Sequence, residues 1–129
     1  MYAKMVYVAS ALRADNDCKI RVNMELAKGY VEEINVLCGV RAVAPHAFLP
    51  EMLDEFDPRQ RALGLEFGIR LMEFCHLLVV VTVGGRISEG MAAEIGKASK
   101  IGIPVVYVQS EHISATRNEW LSEMKEVLM

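Results

Sequence analysis

The sequence is poor in cysteine and has no apolar run long enough to cross a membrane. Its three cysteines, Cys18, Cys38 and Cys75, are widely spaced and form no Cys-x-x-Cys pair, which excludes a disulfide framework and a zinc ribbon. We expect them to be buried thiols in a reducing cytoplasm. The longest aliphatic run, residues 77–81, is far shorter than the roughly 20 residues of a membrane span. Because residues 1–9 also lack the features of a signal peptide, we expect a soluble cytoplasmic protein.

The chain also lacks a strong excess of either charge. Its 14 Lys and Arg residues and 17 Asp and Glu residues give a net charge of −3. This balance excludes a basic protein that wraps a nucleic-acid polymer and an acidic disordered tail. With 53% hydrophobic residues, a chain of 129 residues has material for one domain, residues 1–129, and not for two.

Glycine-rich cofactor motifs are missing as well. Residues 9–13, Ala-Ser-Ala-Leu-Arg, contain no glycine, and no Gly-x-x-x-x-Gly-Lys-Ser/Thr sequence occurs anywhere. A dinucleotide fingerprint and a P-loop are therefore excluded. Since His112 is too isolated to complete a metal site, we expect neither a metal nor a cofactor.

Four short apolar runs alternate with longer amphipathic stretches, a pattern typical of a layered α/β domain. The expected strands are residues 4–9, 41–44, 77–83 and 103–108. The expected helices are residues 17–37, 58–74, 89–101 and 115–128. The last two strands are rich in β-branched residues, which favours parallel strands covered on both faces. The sequence thus predicts a single three-layer, flavodoxin- or Rossmann-like domain with a parallel sheet of four or five strands.

Right-handed crossovers most simply give four such strands the order 2-1-3-4. Ligands of open parallel sheets bind beyond the carboxyl ends of the strands, where this order reverses. That rule selects residues 10–17 and 84–90 as pocket walls, overhung by a long loop at residues 45–57. The helix at residues 58–74 carries more apolar residues than one buried face needs, so it is either a subunit interface or a strongly apolar core helix.

The richest local motif is Ser-Glu-Gly-Met-Ala-Ala-Glu-Ile-Gly at residues 88–96. Ser88 is a natural N-cap, and Gly90 lets a ligand approach the free N–H groups near Gly90 and Met91, which would form an anion site. The alternative is an ordinary capped helix. Glu94 suits covalent catalysis at the anomeric carbon of a sugar. The spacing alone favours the alternative, a solvent-facing glutamate that pairs with Lys97.

This motif stands in order after Val-Tyr-Val-Ala-Ser at residues 6–10 and Ala-Pro-His at residues 44–46. Ile-Pro-Val follows it at residues 103–105. Together these segments make residues 4–108 resemble the nucleoside 2-deoxyribosyltransferase-like superfamily, most closely its small uncharacterised bacterial and phage members.

The resemblance implies that Glu94 is the nucleophile that takes the sugar from an N-glycosidic bond. In the transferases an aspartate that binds the 5′-hydroxyl commonly stands at the place of Ser88. The similar 2′-deoxynucleoside 5′-phosphate N-hydrolases have serine there, where it binds a 5′-phosphate, and their Gly-Ser-Ile-Arg start resembles residues 9–13. The chain departs from the family pattern at Ala9, His76 and Gly85, where relatives carry glycine, aspartate and aspartate.

Other residues complete the candidate binding site. The resemblance adds Ser10, and it favours substrate contact by His46, which could instead cap its loop. Arg13 and Arg86 lie on the two pocket loops and either complement a phosphate or are ordinary exposed arginines. Cys75 and His76 adjoin an apolar strand, where packing is the simpler interpretation.

Two functions remain open. The first is cleavage or transfer of the N-glycosidic bond of a (deoxy)nucleoside or its 5′-monophosphate. The alternative is a non-catalytic nucleotide-binding module, a sensor or sequestering protein of phage or mobile-element origin. In both, the partner is a small molecule rather than a nucleic-acid polymer or a membrane, and the resemblance favours a homodimer or a higher homo-oligomer.

Overall fold

The computed structural model describes residues 4–12, 15–38 and 40–110, in which four strands alternate with three long helices. The strands are β1 (Met5–Ala9), β2 (Arg41–Val43), β3 (Leu77–Thr82) and β4 (Val105–Gln109). The helices are α1 (Asp17–Cys38), α2 (Pro58–Met72) and α3 (Glu89–Ile101). The predicted α/β fold is confirmed. The predicted helix at residues 115–128 lies outside the described residues.

All strand pairs are parallel, and the sheet has the order β2-β1-β3-β4. In the centre of the sheet Tyr7 pairs with Leu78, and Leu78 pairs with Val105 on the next strand. The predicted strand order is thus confirmed, and it reverses between β1 and β3. The carboxyl ends of these two strands flank the place where a ligand is expected.

Side chains of alternate strand residues fill two separate apolar clusters, one on each face of the sheet. On one face Val6, Val8 and Val79 pack with Ala27 and Ile34 of α1. On the other face the apolar cluster is formed by strand residues and by α2 and α3; its members include Tyr7, Leu78, Met72, Met91 and Ala98. The domain therefore has three layers, and Tyr7 faces the layer of α2 and α3.

Capping residues fix the helix ends that border the loops. The Asp57 carboxylate accepts a hydrogen bond from the Arg59 N–H, and Pro58 occupies the first helical position of α2. Ser88 caps α3, and Gly102 ends it in the left-handed region at φ 80°. Glycine adopts this conformation without the strain that a side chain would cause, so Gly102 allows the chain to leave the helix there.

Three expectations need correction. The loop at residues 45–57 is not irregular throughout, because it contains short 3₁₀ helices at Pro45–Ala47 and Leu49–Glu51. Strand β4 is not covered on both faces, since the side chain of Tyr107 is exposed. Cys75 is buried as expected, but Cys18 is exposed. Within the described residues, no helix is both long and apolar enough to span a membrane.

Candidate functional site

A cavity of about 470 Å³ opens at the carboxyl end of β1. Its walls come from β1, the segment after it, the loop at residues 45–57, α2 and α3. The lining residues are Tyr7, Ser10, Leu12, Asp15, Pro45, His46, Leu49, Glu55, Phe56, Arg61, Gly64, Leu65, Gly68, Ser88, Glu89, Gly90, Met91 and Glu94. Six of the eight candidate site residues thus lie together at the predicted end of the sheet.

Glu94 is a buried carboxyl group on α3 that lines this cavity. Only 9% of the residue is exposed, and burial raises the pKa of its carboxyl to about 7, although a hydrogen bond with Tyr7 acts in the opposite direction. Lys97 is not its partner: the Lys97 Nζ lies 3.2 Å from Glu73 Oε1. The alternative of a solvent-facing Glu94 paired with Lys97 is therefore wrong.

Tyr7 supplies the hydroxyl next to this carboxyl group. Burial, followed by the charge of Glu94, raises the pKa of the phenol far above its ordinary value, so the phenol stays protonated and donates to Glu94. Its hydroxyl also lies against α2, where a Cβ on Gly68 would come within 2.6 Å of the phenol oxygen. The sequence analysis did not predict a role for Tyr7 or for Gly68. The available signal was a tyrosine in an aliphatic strand, since the hydroxyl of a buried tyrosine needs a polar partner.

Ser10 and His46 form a second polar pair on the cavity wall. The Ser10 Oγ lies 2.7 Å from His46 Nε2, which joins the end of β1 to the loop at residues 45–57. Burial lowers the pKa of the His46 imidazole to about 4, so the ring is neutral at physiological pH. His46 therefore lines the cavity and also bonds to Ser10.

The start of α3 is a capped helix end. The Ser88 Oγ accepts a hydrogen bond from the Met91 N–H at 3.2 Å, and the Ser88 N–H lies 3.5 Å from the Met91 sulfur. The Met91 N–H is thus already bonded to the cap, while the first-turn N–H groups of Glu89 and Gly90 have no acceptor within the helix. Gly90 also lies against α2, because a Cβ there would stand 3.6 Å from Leu65 Cδ2.

The structure describes one of the two predicted loop arginines, Arg86. Arg86 is exposed, does not line the cavity, and donates from its Nε to the Val83 carbonyl at 3.3 Å. Arg13 lies outside the described residues. Among the described lining residues, the cation is Arg61 of α2, whose Nε lies 3.8 Å from Glu55 Oε2. Sequence reasoning missed Arg61 because it assigned the helix at residues 58–74 only to packing or to a subunit interface.

Carboxylates outnumber cations among the described lining residues. Asp15, Glu55, Glu89 and Glu94 stand against Arg61 alone. Asp15 and Glu89 are exposed at the rim, whereas Glu94 is buried within the wall. No group of three or more His, Cys, Asp or Glu side chains in the described part of the chain has the arrangement of a metal site.

Comparison with known protein families assigns the domain to one of them. A family model described as "Domain of unknown function (DUF7768)" matches residues 4–108. A search of the curated proteins finds no match. Since the family model covers most of the chain, the protein belongs to this family of domains, DUF7768.

Proposed function

We propose that the protein cleaves or transfers the N-glycosidic bond of a (deoxy)nucleoside or its 5′-monophosphate, with Glu94 as nucleophile. The observation that carries this proposal is the position of Glu94, a buried carboxyl group that lines a cavity and bonds to a phenol. Removing a carboxylate from water costs free energy, and such groups cluster at functional sites. The resemblance of residues 4–108 to the nucleoside 2-deoxyribosyltransferase-like superfamily supports the same role.

The chemistry needs two displacements at the anomeric carbon. The ionised Glu94 carboxylate attacks this carbon, the carbon–nitrogen bond breaks, and the base leaves with the bonding electrons and takes a proton from solvent. Water or an acceptor base then attacks the same carbon, releases Glu94 and gives up its own proton to solvent. Tyr7 holds the carboxylate in position through its hydrogen bond.

The walls of the cavity suit the parts of such a ligand. A volume of about 470 Å³ lies within the range of small-molecule sites. Leu49, Phe56 and Leu65 provide apolar surface for a planar base. The Ser10–His46 pair and Ser88 provide polar groups for the hydroxyls of a sugar or for its 5′ substituent.

A nucleotide-binding module without turnover is the second candidate. The observation that favours it is the role of His76, which stands where relatives carry an aspartate. The His76 Nδ1 accepts a hydrogen bond from the Met5 backbone N–H at 3.1 Å, and the backbone N–H of His76 donates to the Met5 carbonyl at 2.8 Å. This side chain therefore joins β1 to the segment before β3, and it provides no carboxylate for a sugar.

Release of free base decides between the two candidates. Deoxynucleosides and their 5′-monophosphates are incubated with the protein and with Glu94→Gln, and the products are separated by chromatography. We expect base release by the wild type and its loss in Glu94→Gln, with substrate affinity largely retained. The control is Glu32→Gln, an exposed glutamate of α1 outside the cavity. Binding without base release by the wild type supports the non-catalytic module.

We also propose a cytoplasmic homo-oligomer, most simply a dimer formed through α2. The observation is the apolar surface that α2 leaves open: Leu63 is 57% exposed and Phe67 is 50% exposed, and Phe74 just beyond the helix is 72% exposed. Apolar surface of this kind favours self-association. Light scattering at micromolar concentration tests this, and a monomer contradicts it. A shift from dimer to monomer in Phe67→Ser would locate the interface on α2.

A further inference from the structure

Arg61 is a largely buried cation that is held by an ion pair with Glu55 rather than by a hydrogen bond. Its side chain is 19% exposed, and that of Glu55 is 10% exposed. The 3.8 Å between Arg61 Nε and Glu55 Oε2 is an ion-pair distance, too long for a hydrogen bond. In the described part of the chain, no hydrogen bond fixes the guanidinium. Its two terminal nitrogens carry N–H groups that can donate to another group.

The position of Arg61 on α2 relates it to both other parts of the site. Gly64, Leu65 and Gly68 follow at the spacing of one helix face, and all of them line the cavity with Arg61. Leu65, one turn along, contacts Gly90 at the start of α3. Gly68, two turns along and about 10 Å from Arg61, contacts the Tyr7 hydroxyl that bonds to Glu94.

A ligand that places its reacting carbon at Glu94 therefore extends along α2 towards Arg61 and the start of α3. A sugar carrying a phosphate can bridge this separation together with the reach of the arginine side chain. Among the described lining residues, Arg61 is the cation and the other charged groups are carboxylates, so an anionic group of a ligand is attracted to Arg61. Arginine binds phosphate oxygens through paired N–H groups.

We propose that Arg61 is the specificity-determining residue of the cavity, and that its terminal nitrogens bind the phosphate monoester of a nucleoside monophosphate. Glu55 stays beside Nε and weakens this attraction through its negative charge. The inference rests on the proposed function for the identity of the nucleoside, but the binding it describes does not depend on turnover.

The test compares the affinity for a deoxynucleoside with that for its 5′-monophosphate by calorimetric titration. In the wild type we expect the monophosphate to bind more tightly, and in Arg61→Gln we expect this preference to fall about tenfold or more. Arg59→Gln is the matched control, because Arg59 lies on the same helix, is exposed and does not line the cavity. It should keep the wild-type preference.

A third variant separates ligand binding from a structural role of the ion pair. Glu55→Gln removes the same ion pair but keeps the guanidinium, and it should preserve or raise the preference for the monophosphate. If Glu55→Gln lowers the preference as much as Arg61→Gln does, or if Arg61→Gln leaves it unchanged, the inference is wrong.

Base release, measured on the same samples, keeps this inference distinct from the proposed function. A preference lost in Arg61→Gln without base release by any variant supports the inference and contradicts the catalytic proposal. If the wild type releases base but binds both ligands with equal affinity, the catalytic proposal is supported and the inference about Arg61 is contradicted.

Discussion

The Tyr7 hydroxyl lies against the backbone of Gly68, so closely that the Cβ of any other residue at position 68 would stand 2.6 Å from the phenol oxygen. Real Cβ atoms do not approach an oxygen this closely, so a side chain there must displace Tyr7 or α2. Because the same hydroxyl bonds to Glu94, the absence of a side chain at residue 68 helps to position the candidate nucleophile.

Gly68→Ala is accordingly expected to disturb the site and the core together. Overpacking should lower the free energy of unfolding by about 1–3 kcal/mol, less the gain from alanine in a helix, and it should reduce base release. Urea unfolding and the chromatographic assay measure the two effects. Gly29→Ala is the matched control, because a Cβ at Gly29 of α1 meets no atom within 4 Å. That variant should gain about 0.5–1 kcal/mol. Equal behaviour of the two variants would contradict the close approach.

The pH dependence of base release should follow the ionisation of Glu94. A nucleophilic carboxylate must be deprotonated, and burial raises its pKa to about 7, so the rate should rise with pH through neutrality. The Tyr7 hydrogen bond lowers this pKa. Tyr7→Phe should therefore move the rising limb of the profile to higher pH as well as lower the maximum rate. A profile that keeps its midpoint in Tyr7→Phe would show that the phenol does not bond to the reacting carboxylate.

The free energy of unfolding should also depend on the ionisation of Glu94, but this contribution should decrease as pH rises. The pKa of Glu94 rises from an ordinary 4.5 to about 7 on folding, so its contribution to stability is complete below pH 4.5 and is lost as pH rises through 7. The loss amounts to about 3 kcal/mol. The pKa of His46 falls from 6.5 to about 4, so its contribution is present above pH 6.5 and is lost as pH falls through 4.

These two slopes oppose each other between about pH 4.5 and 6.5. We expect the free energy of unfolding of Glu94→Gln to increase with pH across this interval, and that of His46→Asn to decrease. The wild type should change least. Urea titrations of the three proteins at several pH values measure the slopes. Parallel pH dependence in all three would exclude these two residues as the titrating groups.

Ser88→Asp tests whether the start of α3 faces the 5′ end of the ligand. Aspartate can still cap the helix, so the fold should survive, but its charge should repel a phosphate while a 5′-hydroxyl can still donate to it. The preference for a monophosphate over the nucleoside should therefore decrease or reverse in a calorimetric titration. Unchanged relative affinities would mean that Ser88 acts only as the cap that bonds to Met91.

The sequence alone was sufficient for the order of the strands and for the residues of α3. Glu94 and Ser88 were found because they share one contiguous motif that begins a helix directly after a buried strand. The start of α2 is specified locally as well, since Asp57 caps the helix and Pro58 takes its first position.

The rest of the site depends on contacts between distant segments. Tyr7 meets Gly68 across the packing of α2 on the sheet, and Arg61 meets Glu55 between α2 and the preceding loop. No spacing in the sequence specifies which turn of α2 lies over β1. The pairing of Lys97 was misjudged for the same reason, because its partner, Glu73, follows α2 rather than standing on its own helix.

The cavity forms only when distant segments of the chain have folded together, because β1 lies inside the sheet between β2 and β3. Tyr7 enters its place only when β1 has paired with β3, whose partner residues lie about 70 positions along the chain. Folding must therefore close long loops before any site exists, which predicts slow folding compared with a helical bundle. A ligand of the folded chain then stabilises every element at once. An upward shift in melting temperature can therefore identify ligands of this cavity without an assay of turnover.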